Sequence, residues 1–85
     1  MHCGLVIERE GKIYTVVEIK FHERPSGVEV AIEVDLKLKK LIFPRGATVE
    51  KMLVTLYGMD DHLKALSYFD HTLCLDDFFD SRKVE

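Results

Sequence analysis

The stretch "VEVAIEVDLKLKK", residues 28–40, constrains the fold more than any other. Apolar residues occupy every even position from Val28 to Leu38, and β-branched valine and isoleucine supply four of them. Strict alternation of this length is the pattern of a half-buried strand. The polar positions change sign along the ribbon, from Glu29, Glu33 and Asp35 to Lys37, Lys39 and Lys40. A strand over 28–38 with a bipolar outer face is therefore predicted. Charges so placed contribute little to stability when exposed, about 0–1 kcal/mol per pair, but they orient partners.

The preceding segment agrees. "KIYTVVEIKFH" alternates with Ile13, Thr15, Val17, Ile19 and Phe21 on one side, which predicts a strand over 12–22 with its odd residues inward. "CGLVI" predicts a strand over 3–8. "REG" joins the two, and Gly11 suits the left-handed position of a three-residue hairpin loop. "RPSG", 24–27, supplies turn chemistry for a second hairpin. The alternation breaks after Leu38, and a short fourth strand over 40–43 restarts it. Thr48 is a helix cap for "VEKMLVTLY", with Val49, Met52, Leu53 and Leu56 at helical spacing. Asp60 caps a second helix, 60–69. The tail reads either as a helix over 71–82 or as a strand in "HTLCL" followed by a short helix. The predicted class is α+β: an antiparallel meander of three to four strands (3–8, 12–22, 28–38, 40–43). Two or three helices (48–57, 60–69, 71–82) cover one face. The off-phase residues Val6, Tyr14, Val16 and Ala31 then form either scattered surface residues or a small apolar patch.

The chain has 85 residues, which favours one domain with one thin core. Net charge is −3, which weighs against nucleic-acid binding over the whole surface. The charge is uneven: residues 1–59 carry nine Lys/Arg and eight Asp/Glu, and residues 60–85 carry three and seven. "MHCGLVIERE" lacks the pattern of a signal peptide, and no apolar run has transmembrane length. With two cysteines, Cys3 and Cys74, this points to the cytoplasm and to free thiols.

Two local resemblances add expectations. Residues 4–19, "GLVIEREGKIYTVVEI", resemble the start of the small β-barrel domain of bacterial elongation factor P through Gly4, Glu8, Gly11, Tyr14, Val16, Val17 and Glu18. That resemblance implies a translation-linked, RNA-adjacent barrel. Residues 41–53, "LIFPRGATVEKML", are similar to the strand–turn–helix of β-grasp sulfur carriers, although the chain ends in "SRKVE" rather than the diglycine those proteins use. Neither assigns site residues.

Chemistry-bearing motifs are sparse. His2, Cys3, His71 and Cys74 would make a zinc set only if the two ends of the chain converged. No nucleophile elbow, phosphate loop or dinucleotide fingerprint is present. The acid pairs Asp60–Asp61 and Asp76–Asp77 read as helix starts. No cofactor is indicated and catalysis is not expected. The leading expectation is a small non-catalytic interaction module (a regulator, adaptor or inhibitor). It would self-associate as a dimer through the sheet at Tyr14, Val16, Glu29, Ala31, Glu33, Asp35, Lys37 and Lys39. The alternative is a nucleic-acid accessory protein using the basic corner Lys37, Lys39, Lys40, Arg45 and Lys51. A third reading makes the acids Asp60, Asp61, Asp70, Asp76, Asp77 and Asp80 a nucleic-acid mimic.

Overall fold

The computed structural model describes the backbone of residues 2–75 and the side chains of 4–75. Six elements follow in the order β1 (His2–Arg9), β2 (Ile13–Lys20), α1 (Val28–Lys40), β3 (Thr48–Thr55), α2 (Asp61–Leu66) and β4 (His71–Cys74). They form an α+β fold around one four-stranded sheet in the order β1-β2-β3-β4. The sheet is mixed. β1 runs antiparallel to β2, whereas β2, β3 and β4 are parallel to one another.

The first hairpin is as expected, with a register shift. Arg9 faces Ile13 and Glu8 faces Tyr14, so the loop is Glu10–Gly11–Lys12, with left-handed φ of 74° at Gly11 and 62° at Lys12. The shift is two residues, so the same residues of β1 and β2 share a face as expected.

The third predicted strand is instead the helix α1. A strand parallel to β2 cannot follow it through a tight turn; it needs a crossover of a dozen residues or more, usually helical. The stretch 28–40 supplies it. Val30, Val34 and Leu38 recur at helical spacing and, with Ala31, pack inward, whereas Val28, Ile32 and Leu36 face solvent at 39, 59 and 54% exposure. The sign change along the ribbon belongs to the helix: Glu29 lies in its first turn and Lys37, Lys39 and Lys40 in its last, each favourable to the helix dipole. Lys39 pairs with Asp35 one turn back, at 3.4 Å.

The predicted strand 40–43 is irregular backbone, as is the rest of 41–47, and the predicted helix 48–57 is the strand β3. In "TVEKMLVT", Val49, Leu53 and Thr55 point to one face and Met52 and Val54 to the other. Two half-apolar faces mimic helical spacing. These changes remove both resemblances: only the opening hairpin of a barrel is present, and residues 41–53 are loop then strand. The second helix survives as α2, shorter than predicted. Asp60 Oδ1 accepts from the Leu63 amide at 2.8 Å, and Ser67 closes the helix at φ 50°. Asp60→Ala is expected to lower stability by about 1 kcal/mol, and Asp60→Asn to retain most of it; urea midpoints measure both. Of the two readings of the tail, 71–74 is the strand β4; residues 76–82 lie outside the described residues.

Both helices cover the same side of the sheet. The central cluster joins Val30, Ala31 and Val34 of α1, Leu53 of β3 and Leu63 of α2. The face they cover carries the even residues of β2, namely Tyr14, Val16, Glu18 and Lys20, since Glu18 aligns with Leu53. The odd residues predicted to point inward line the opposite face. Among the described residues, no helix is long and apolar enough to cross a membrane.

Candidate functional site on the central strand

β2 lies between β1 and β3, one of the two inner positions in the sheet. Two opposite charges stand on its helix-covered face, Glu18 at 1% and Lys20 at 3% exposure. Residues two apart on a strand share a face, so the backbone alone makes them neighbours. α1 answers each with a charge of its own. Lys20 Nζ donates to Glu33 Oε1 at 2.6 Å and stands 3.6 Å from Glu18 Oε2. Lys37 Nζ donates to both Glu18 oxygens, at 3.0 and 3.1 Å. Glu33 and Lys37 are one helical turn apart, which is what lets them reach two residues spaced along one strand. The result is an alternating row, Glu33–Lys20–Glu18–Lys37, whose outer members reach water at 44 and 43% side-chain exposure.

Such a row is a costly way to fill a core. Desolvating two charges outweighs much of their attraction, and apolar residues of the same volume often hold a fold equally well. Buried ionisable groups at the floor of a cleft are therefore candidates for function.

Glu18 does lie at the floor of a cleft. Gly4 of β1 faces it across the ladder. A Cβ there would stand 3.1 Å from Glu18 Oε1 and 3.5 Å from Lys37 Nζ, so the glycine admits the close approach of the carboxylate. Beside it lies a cleft of about 340 Å³ with apolar walls at Val6, Val16 and Leu41 and with Glu18, Lys37 and Lys40 among its lining. Among the described residues no three His, Cys, Asp or Glu side chains gather as a metal cage. Lys37 and Lys40 are the cationic groups in the lining, and lysines so placed suit an anion such as a phosphate.

The residues singled out by sequence are dispersed. Val16 and Ala31 are buried at 5 and 3% and present no surface, and Tyr14 packs on Phe43 with ring centroids 5.2 Å apart. Glu29 stands 4.0 Å from Arg24, and Glu33 and Lys37 enter the row just described. The ribbon they were expected to form does not exist, because its residues wind around a helix. The basic corner also divides. Lys37 and Lys40 line the cleft, Lys39 pairs with Asp35, and Lys51 lies over the Tyr68 ring at 4.1 Å. Arg45 is exposed on the loop before β3. Burial first, and then the Asp35 carboxylate, raises the Tyr68 phenol above its ordinary pKa, so its hydroxyl stays a neutral donor. Of the acidic set, Asp60 caps α2 and Asp70 accepts from the Lys51 amide, while Asp61 is exposed in the first turn of α2. Asp76, Asp77 and Asp80 lie outside the described residues.

His2 and Cys3 sit on one edge strand and His71 and Cys74 on the other. Three strand spacings separate them, about 14 Å, so the fold brings together neither that zinc set nor a Cys3–Cys74 bridge. The Cys74 thiol donates to the Leu56 carbonyl at 3.4 Å.

Sequence reading passed over Glu18, Lys20 and Gly4 as a unit. Their signal was an opposite-charge pair on the even face of a strand whose other even residues are Tyr14 and Val16.

These features define a class: a small α+β module, mixed-sheeted, with a buried glutamate–lysine pair beside a cleft lined in part by Gly4. No family model, curated protein or solved structure matches the chain.

Proposed function

We propose that this chain acts on nucleic acid, hydrolysing a phosphodiester at the cleft above Gly4 with a divalent cation held on Glu18. One observation carries the reading: a buried carboxylate, paired with two lysines, lies in the lining of a cleft beside Gly4, with Lys37 and Lys40 in the same lining. Lys40 and Lys37 meet the phosphate at the rim. Lys37 is half in water and can turn from Glu18 to a phosphate oxygen. That would free the Glu18 oxygens to hold a divalent cation, and Lys20, itself held by Glu33, keeps the Glu18 carboxylate aimed. A cation bound there would supply Lewis-acid polarisation of the phosphate. In the net reaction one water is consumed: its oxygen bonds to phosphorus as the ester P–O bond breaks, one of its protons passes to solvent, and the leaving alkoxide takes a proton from solvent.

The test uses labelled single-stranded and duplex oligonucleotides, of DNA and of RNA, with magnesium or manganese. Glu18→Gln keeps the shape and is expected to lower cleavage by about 10²–10³-fold, the scale of removing one key electrostatic group. Lys40→Glu is expected to weaken binding and flatten its salt dependence. A wild-type chain that neither binds nor cuts any of the four substrates sinks the proposal.

A separate observation, the sheet face that none of the described helices covers, favours the interaction-module reading as a second property of the same chain.

A further inference from the structure

The side of α1 turned away from the sheet carries an apolar stripe. Val28, Ile32 and Leu36 recur every fourth residue and are 39, 59 and 54% exposed. Leu66, at 52% exposure, and Tyr68 line a groove of about 430 Å³ together with Ile32 and Leu36. A surface helix ordinarily turns its apolar residues inward. The inward positions of α1 are filled by Val30, Ala31 and Val34, so the stripe is a second apolar face on the same helix. Side chains spaced at i and i+4 form the ridges that interdigitate when two helices pack.

We infer that this stripe is a weak, reversible interface between two copies of the chain, with their α1 helices antiparallel. Charge selects a second copy as the occupant. α1 begins acidic, with Glu29 in its first turn, and ends basic, with Lys37, Lys39 and Lys40 in its last. A two-fold axis level with Val34 brings the first turn of each helix to the last turn of the other. Glu29 then stands level with Lys39 of the second copy, and Ile32 with Leu36 of the second copy. One register therefore matches the apolar and the charged positions together, and the symmetry repeats each match. Within one copy Glu29 stands 4.0 Å from Arg24, and Lys39 stands 3.4 Å from Asp35. All four of these side chains are more than half exposed, so such pairs exchange partners at little cost. Size sets the strength. A helix of 13 residues is about 20 Å long. A contact of that length is smaller than the roughly 1,000 Å² of a stable interface, which puts the dissociation constant on the order of 100 µM. Glu29, Ile32, Leu36 and Lys39 lie outside the lining of the cleft, so the inference stands apart from the catalytic reading.

Sedimentation equilibrium at low salt from 10 to 500 µM tests it. For the wild type the mass is expected to rise toward twice that of the monomer, and to rise less at high salt. Ile32→Ser and Leu36→Ser replace exposed side chains, with folding checked by far-UV circular dichroism. Each is expected to raise the dissociation constant at least tenfold. Glu29→Lys and Lys39→Glu are each expected to weaken association when alone. An equimolar mixture of those two chains is expected to recover it, because each level pair is again of opposite sign. A wild-type monomer throughout the range overturns the inference. So does a dimer that the folded serine variants preserve, or a mixture that associates no better than its components.

Discussion

Lys20→Ala is expected to lower folding stability by about 3 kcal/mol, and Glu18→Leu combined with Lys20→Leu to recover most of that loss. Lys20 is 3% exposed and stands between two carboxylates. Removing it leaves Glu18, at 1% exposure, with Lys37 as its remaining cationic partner. Breaking a buried ion pair from one side costs about 3–5 kcal/mol, because the surviving charge is stranded. The retained Lys37 puts this case at the lower end. Removing both buried charges strands neither, since Glu33 and Lys37 are nearly half exposed and can turn outward. Apolar replacement of a whole buried pair is often neutral or stabilising. Urea denaturation of the three chains measures the pattern. A double variant less stable than Lys20→Ala would mean the charges serve the fold itself. The expected pattern, with cleavage lost, would place their value in function at the expense of stability.

The same charges explain why part of this fold was legible in the sequence and part was not. The hairpin of β1 and β2 is local, and its alternation and Gly11 announce it. The cap at Asp60 is local too, and it was read correctly. The alternation of 28–40 suggests a strand because the inward stripe includes Glu33 and Lys37, which reach buried partners on β2 while keeping one side in water. With those two charges counted as solvent-facing, the helical stripe Val30, Val34, Leu38 looks incomplete and the period of two looks strong. Ile32 and Leu36, outward on the helix, reinforce the error. From this one mistake the others follow. A third antiparallel strand leaves no need for a crossover, so β3 was free to be read as a helix and the sheet's inner face was taken for its outer one. The site was hidden for a related reason. Glu18 and Lys20 look like ordinary exposed charges on a strand until a helix lies across them, and Gly4 has meaning only opposite Glu18, fourteen residues away in the chain.

Leu53 and Val54 are neighbours on β3, and truncating each reports on a different face of the sheet. Leu53→Ala is expected to cost about 2–5 kcal/mol, as large-to-small changes in a closed core do. Leu53 is wholly buried and belongs to the cluster where α1 and α2 meet the sheet, so the cavity would open between three elements at once. Against a total of about 5–10 kcal/mol for a domain of this size, the variant would unfold well below the wild-type temperature. Val54 lies on the face that none of the described helices covers and is partly exposed. Val54→Ala should cost less than about 1 kcal/mol, since little buried volume is lost. Urea denaturation of both variants measures the difference. Equal losses from both would mean the two faces are closed alike within a single copy.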